Sequence, residues 1–158
     1  MPRAYTVTIV GGTYTNAGGD FDIFELTPAD DKPIEIVGLE IVTTSEVAEA
    51  QEEWIALQII RGFTSSGSGG SAPTPVPLDP IDTAAGFTAE VMNSTVATTG
   101  TTTTPWSSGF NERAGIEKWW PQSFGPQASQ ANTTIVVRGS STVADDVTIS
   151  ATLYVLEK

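Results

Sequence analysis

Pro33-Ile-Glu-Ile-Val-Gly-Leu-Glu-Ile-Val-Thr-Thr44, an acidic turn from Ser45 to Glu52, and Glu53-Trp-Ile-Ala-Leu-Gln-Ile-Ile-Arg61 form the stretch that decides the fold. In the first half Ile34 and Ile36 face one way, with Gly38 placed on that side, and Glu35 and Val37 face the other. In the second half Trp54, Ala56 and Gln58 share one side, and Ile55, Leu57 and Ile59 share the opposite one. Period-two alternation rich in β-branched residues specifies strands. A strand pair with so much apolar surface cannot stand alone in water and needs a second sheet or a partner chain over it. The expected architecture is therefore an antiparallel β-sandwich or jelly-roll-like barrel with this pair near its centre.

The flanking sequence extends the pattern. Tyr5 to Val10 and Phe21 to Leu26 read as short strands, separated by glycine-rich turns, and Thr27 to Lys32 reads as a turn before Pro33. Phe87 to Val96, Thr101 to Trp106, Gly115 to Trp120 and Asn132 to Arg138 continue the series, with Ser107 to Arg113 and Gln122 to Gln130 as loops. The last run, Val147 to Leu156, alternates most cleanly: Val147, Ile149, Ala151, Leu153 and Val155 against Thr148, Ser150, Thr152 and Tyr154. Eight or nine strands result, in one domain spanning residues 1–158, a length that suits a single sizeable core. Ser45 to Gln51 is the one helix-like window, with Ser45 as a candidate cap.

Gly62 to Gly86 interrupts the pattern. Its first half is rich in Gly and Ser and reads as flexible; its second half, Pro73-Thr-Pro-Val-Pro-Leu78, is polyproline-like. One reading is an arm that docks on a neighbouring subunit through Pro73, Pro75, Val76, Pro77 and Leu78. The other is a connector packed back on its own domain.

Composition excludes several functions. Seven basic residues stand against 19 acidic ones, a net charge of −12, which disfavours nucleic acid and anionic membrane surfaces as partners. No cysteine is present for disulfides or thiolate metal sites, and no histidine for general base catalysis or metal ligation. The N-terminus lacks the features of a secretory signal, and no apolar run is long enough to span a membrane. Synthesis in a cytoplasm is the resulting expectation.

Residues with chemical potential are few. The pairs Asp20/Asp22, Asp30/Asp31, Asp79/Asp82 and Asp145/Asp146 do not match a calcium loop and read as turn residues. Glu40, Glu52, Glu53 and Glu117 offer carboxylate pairs of glycosidase type, but strand glutamates are ordinarily solvated. No Gly-x-Ser-x-Gly elbow or phosphate loop is present. The expectation is a protein without catalytic residues, cofactor or metal. Asn93-Ser-Thr and Asn132-Thr-Thr match the glycosylation pattern, as chance readily produces in a Thr-rich chain. Trp54, Trp106, Trp119 and Trp120 are candidate interface aromatics. Trp119 and Trp120 are adjacent, so on a strand one points to the core and the other to an outer surface.

Several segments together carry a resemblance. They are Ala29-Asp-Asp-Lys-Pro-Ile-Glu-Ile36, the acidic turn ending Gln51-Glu52-Glu53, Gly69-Gly-Ser-Ala-Pro-Thr-Pro75, Trp106 with Asn111 to Gly115, and Ile149-Ser-Ala-Thr-Leu-Tyr-Val155. In this combination the chain resembles the small all-β accessory proteins of tailed-bacteriophage virions, in particular capsid decoration or cement proteins. The resemblance is one of loose pattern over most of the chain. It implies a non-enzymatic homotrimer on the capsid surface that binds the major capsid protein and grips neighbours with extended arms. A carbohydrate- or receptor-binding module of a phage fibre or surface assembly is the alternative, favoured if Trp106 or Trp119/Trp120 forms an exposed platform.

Overall fold

The alternation seen along the chain becomes two packed antiparallel sheets in the computed structural model, which describes residues 1–15, 19–45, 52–129, 133–140 and 143–158. Eleven strands follow one another: β1 (Arg3–Tyr14), β2 (Asp20–Thr27), β3 (Ile34–Thr43), β4 (Trp54–Phe63), β5 (Val76–Pro77), β6 (Thr88–Asn93), β7 (Thr103–Asn111), β8 (Ile116–Trp119), β9 (Gln127–Ala128), β10 (Thr134–Ser140) and β11 (Val147–Glu157). Sheet A has the order β5-β1-β11-β3-β8, with β9 also on β3; sheet B has the order β6-β2-β10-β4-β7. Without β5, β6 and β9 the orders reduce to β1-β11-β3-β8 and β2-β10-β4-β7, four strands in each sheet. The first four strands alternate between sheets, the arrangement of a jelly roll. The barrel half of the expectation fails, because both sheets end in edge strands.

The count exceeds eight or nine because β5 and β9 are two-residue strands, too short to show a period. Ser107 to Asn111, read as loop, completes β7 instead, paired with Trp54 to Gln58 of β4. The helix-like window Ser45 to Gln51 lies, beyond Ser45, outside the described residues.

β11 alternates buried and half-buried from end to end, as its sequence requires. Val147, Ile149, Leu153 and Val155 meet Ile34, Ile36, Leu39, Ile41 and Val7 from β3 and β1, facing Ile55, Leu57, Ile59, Ile135 and Val137 of sheet B. Burying one such side chain contributes about 1.5–3 kcal/mol, so this interior is the main source of stability. The expected placement of Gly38 with Ile34 and Ile36 is overturned. The ladder shifts register between Tyr154 and Val155, so Tyr154 pairs with Gly38 and Val155 with Ile36. The extra residue of this bulge puts Leu39 and Ile41 in the core and Gly38 on the outer face, beneath the Trp119 ring.

Four glutamates outside the candidate carboxylate pairs, Glu25, Glu35, Glu112 and Glu157, are buried. Each meets donors. Glu35 receives Lys158 at 2.8 Å and the Gly125 N–H at 3.0 Å. Glu157 receives the Gly86 N–H at 2.6 Å and faces Lys32 at 3.7 Å. Asp22 binds Arg138 through two contacts, 2.7 and 3.1 Å, and also accepts the Ala97 N–H at 2.7 Å. Removing one partner of such a pair strands a buried charge. Asp22→Ala is expected to lower the unfolding free energy by about 3–5 kcal/mol in urea denaturation, and Asp22→Leu with Arg138→Met to recover much of that loss.

Candidate functional site

The two sheets differ in what covers their outer sides. On sheet B the Gly/Ser segment read as flexible is laid along β6 and the chain after it. Bridges Ser65–Thr98, Ser68–Thr95 and Ser71–Val91 zip the two together. The Glu25 carboxylate accepts the Gly67 N–H, the Ser66 hydroxyl and the Asn93 amide, and Asn93 accepts the Gly70 N–H. Ala97 closes a second small apolar cluster with Ile60, Phe63 and Val136. The flexible reach expected of this half is therefore replaced by a bonded layer. The local reason is that Gly and Ser leave the backbone close enough to its neighbour to hydrogen-bond: a Cβ on Gly67 or Gly70 would lie 2.4 or 2.0 Å from backbone oxygens of Thr95 or Val91.

The Pro-rich half packs on its own domain too. Val76 and Pro77 form β5 against Thr6 and Tyr5, and the Leu78 N–H donates to the Ala4 carbonyl at 2.9 Å. Pro75 is buried, Pro73 and Pro77 half-buried, and Val76 and Leu78 exposed. The segment is an ordered strap on the edge of sheet A that still shows apolar side chains to water.

Val76 begins a row across the outer face of sheet A. It pairs with Thr6, Thr6 with Tyr154, Tyr154 with Gly38 and Gly38 with Trp119. The next row runs Thr8, Thr152, Glu40, Glu117. Beyond it Thr8, Val10, Glu40, Val42, Ser150 and Thr152 line a shallow depression of about 340 Å³. Val10 is 91% exposed, and Val42 and Trp119 are also exposed. Trp119 lies on Tyr154 with ring centroids 4.6 Å apart and planes at 43°. The flat seat depends on glycine, since a Cβ on Gly38 would come within 2.5 Å of the indole. The Tyr154 hydroxyl donates to Glu40 at 3.2 Å, and the Trp119 indole N–H to Glu117 at 2.7 Å. Burial, then the charge of Glu40 and its hydrogen bond, then the charge of Glu117, hold the Tyr154 hydroxyl above its ordinary titration range.

The expected division of the adjacent tryptophans is what the structure has. Trp119 lies on the outer face, while Trp120 packs against the core and meets Trp106 edge-to-face at 5.4 Å. Of the candidate residues, Val76 and Trp119 share the open face. Trp54 is 66% exposed on β4 of sheet B, and Trp106 and Trp120 are half-buried between the sheets. Tyr154, Val10 and Val42 were missed as site residues, and Glu40 and Glu117 were weighed only as a carboxylate pair of glycosidase type. Their signal was present as the non-core positions of alternating strands, but only the register brings them together. Among the described residues no group of three or more acidic side chains is placed to hold a metal ion. Asp30 and Asp31 occupy a turn closed by the Ala29–Lys32 bridge.

No family model and no curated protein matches the chain. Among solved structures it is similar to the T=1 particles derived from infectious bursal virus, with 13% identity and a TM-score of 0.28 over 98% of this chain. It is also similar to a mutant VP2 protein of infectious bursal disease virus in derived T=1 particles, with 12% identity and a TM-score of 0.27 over 99% of this chain. The chain spans 40% of the length of each.

The Tyr154–Glu40 contact has a pH signature. A phenol whose folded value is raised contributes stability that is complete below the ordinary tyrosine value and lost as pH rises through the raised one. Glu40→Gln removes the charge and leaves burial, so the Tyr154 midpoint should fall toward the ordinary value without reaching it. Ultraviolet titration of each protein against its Tyr154→Phe counterpart isolates this phenol.

Proposed function

We propose that the protein is a non-enzymatic structural component that decorates a bacteriophage capsid as a homotrimer, seated on the major capsid protein through the outer face of sheet A. The single observation that carries this reading is the asymmetry of the two outer faces. Over β6, β2 and β10 sheet B is roofed by a hydrogen-bonded layer with its own apolar cluster, and on β4 it leaves Trp54 exposed. Sheet A presents Val10, Val42, Val76 and Trp119 to solvent, the last three on paired strands and Val10 at the bulge of β1. Apolar groups gathered on one face mark an interaction surface more than scattered ones do. Ordered strands lose little entropy on docking, so more of the contact energy appears as affinity. The jelly-roll order supports the reading at the level of analogy, because that fold builds viral capsid domains, although fold alone does not carry function. The resemblance of the sequence to phage decoration proteins supports it independently of the comparisons. In this reading the chain is made in the host cytoplasm, ends on the virion surface, and uses neither cofactor, membrane nor nucleic acid. The strap then supplies the contact to a neighbouring subunit, with Leu78 and Ile81 exposed along it.

A sugar- or receptor-binding module is the second reading. The observation that favours it is the exposed Trp119 ring beside Tyr154, since jelly rolls also build lectins.

The triple variant Val10→Ser, Val42→Ser, Val76→Ser touches no core position. It should unfold at nearly the parent's urea midpoint, because surface changes of this kind stay within about 0.5 kcal/mol. Co-sedimentation with undecorated capsids should fall at least about tenfold, the equivalent of roughly 1.4 kcal/mol. Undiminished co-sedimentation of the folded variant contradicts the docking face. A monomeric native mass both free and on the particle contradicts the trimer.

A further inference from the structure

Glu40 and Glu117 stand directly opposite each other on β3 and β8. Such a pair places its Cβ atoms about 4.5–5.5 Å apart, and like charges there are destabilising. A protein relieves that with a basic neighbour, and this chain has seven basic residues. All are engaged elsewhere. Arg138, Lys158 and Lys32 serve buried carboxylates, Arg3 and Arg113 serve Asp82 and Glu52, Arg61 holds the Gln127 carbonyl, and Lys118 lies over Trp120. Among the described residues no ion pair reaches Glu40 or Glu117. Glu40 accepts the Tyr154 hydroxyl and Glu117 the Trp119 indole N–H, and these bonds align both carboxylates with the two rings.

The result is an aromatic pair rimmed by two negative charges on an open, preorganised sheet face. An indole face attracts a cation, and most strongly a guanidinium, which lies flat on the ring while its N–H fork reaches a carboxylate. A neutral sugar would cover Trp119 and leave the charge repulsion in place. A second copy of this chain, at net charge −12, would add to it. We propose that the Trp119–Tyr154 pair, with Glu40 and Glu117, receives an arginine side chain of the partner protein. This rests on the docking reading of sheet A and adds the chemistry of the partner's central contact.

The probe is N-acetyl-argininamide, titrated into the ¹⁵N-labelled full chain while the indole N–H signal of Trp119, assigned by its loss in Trp119→Phe, is followed. N-acetyl-citrullinamide, the neutral isostere, and cellotetraose are the controls. Argininamide should shift the signal saturably, with citrullinamide at least about tenfold weaker. Glu40→Gln with Glu117→Gln should abolish the response while the rest of the spectrum stays dispersed. Its thermal midpoint should equal or exceed the parent's, because a repulsion is removed. The proposal is overturned by an equal response to citrullinamide, by a response to cellotetraose alone, by no saturable shift, or by unchanged binding in the double variant. Capsid co-sedimentation separates this from the docking reading. A double variant that still attaches, while the triple valine variant does not, refutes the arginine contact and leaves the docking face standing.

Discussion

The period of β11 is the constraint on which the rest depends. It lies between β1 and β3, paired with both along most of its length. Its even alternation sends Val147, Ile149, Leu153 and Val155 into the interior and Thr148, Ser150, Thr152 and Tyr154 outward. A slip of one residue would exchange the two sets, burying hydroxyls and exposing the core. Core and outer face are thus two sides of one register. The hydrophobic term that holds the sandwich together also fixes the position of the candidate docking surface. The shift at Tyr154 and Gly38 is the exception that makes the surface usable, because it leaves a residue without a side chain under the indole.

Buried carboxylates organise the periphery as apolar residues organise the centre. Glu25, Asp22, Glu35 and Glu157 each tie a loop or terminus to a strand, mostly through backbone N–H groups. A chain with few basic residues spends most of them on these anchors or on surface pairs. Glu40 and Glu117 on sheet A are left without one. Scarcity of positive charge therefore links the stability of the loops to the negative potential of the open face.

The long regular strands were legible because they depend on local alternation: β11, the inner side of β4, and the opposite facing of Trp119 and Trp120 all follow from it. What was not legible depends on partners distant in sequence. Ser65, Ser68 and Ser71 read as flexible because nothing near them announces their bridges to Thr98, Thr95 and Val91. The anchoring roles of Glu25 and Glu35 leave no local sign because their donors, Gly67 and Gly125, lie far along the chain. Gly38 was assigned to the wrong side because a bulge is a property of two strands and leaves no period in one. The grouping of Tyr154, Val10 and Val42 with Trp119 and Val76 on sheet A was missed for the same reason. Each is an ordinary outward position, and only the register assembles them.

The most direct measurement is hydroxyl-radical footprinting of the protein free and attached to the particle, with oxidation quantified residue by residue. Trp54 on sheet B and Trp119 on sheet A are both solvent-accessible in the free chain, at 66% and 47% exposure, and so serve as mutual controls. Attachment should protect Trp119 and Tyr154 and leave Trp54 as reactive as before. Protection of Trp54 with Trp119 unchanged would contradict this, and would move the docking surface to the opposite sheet.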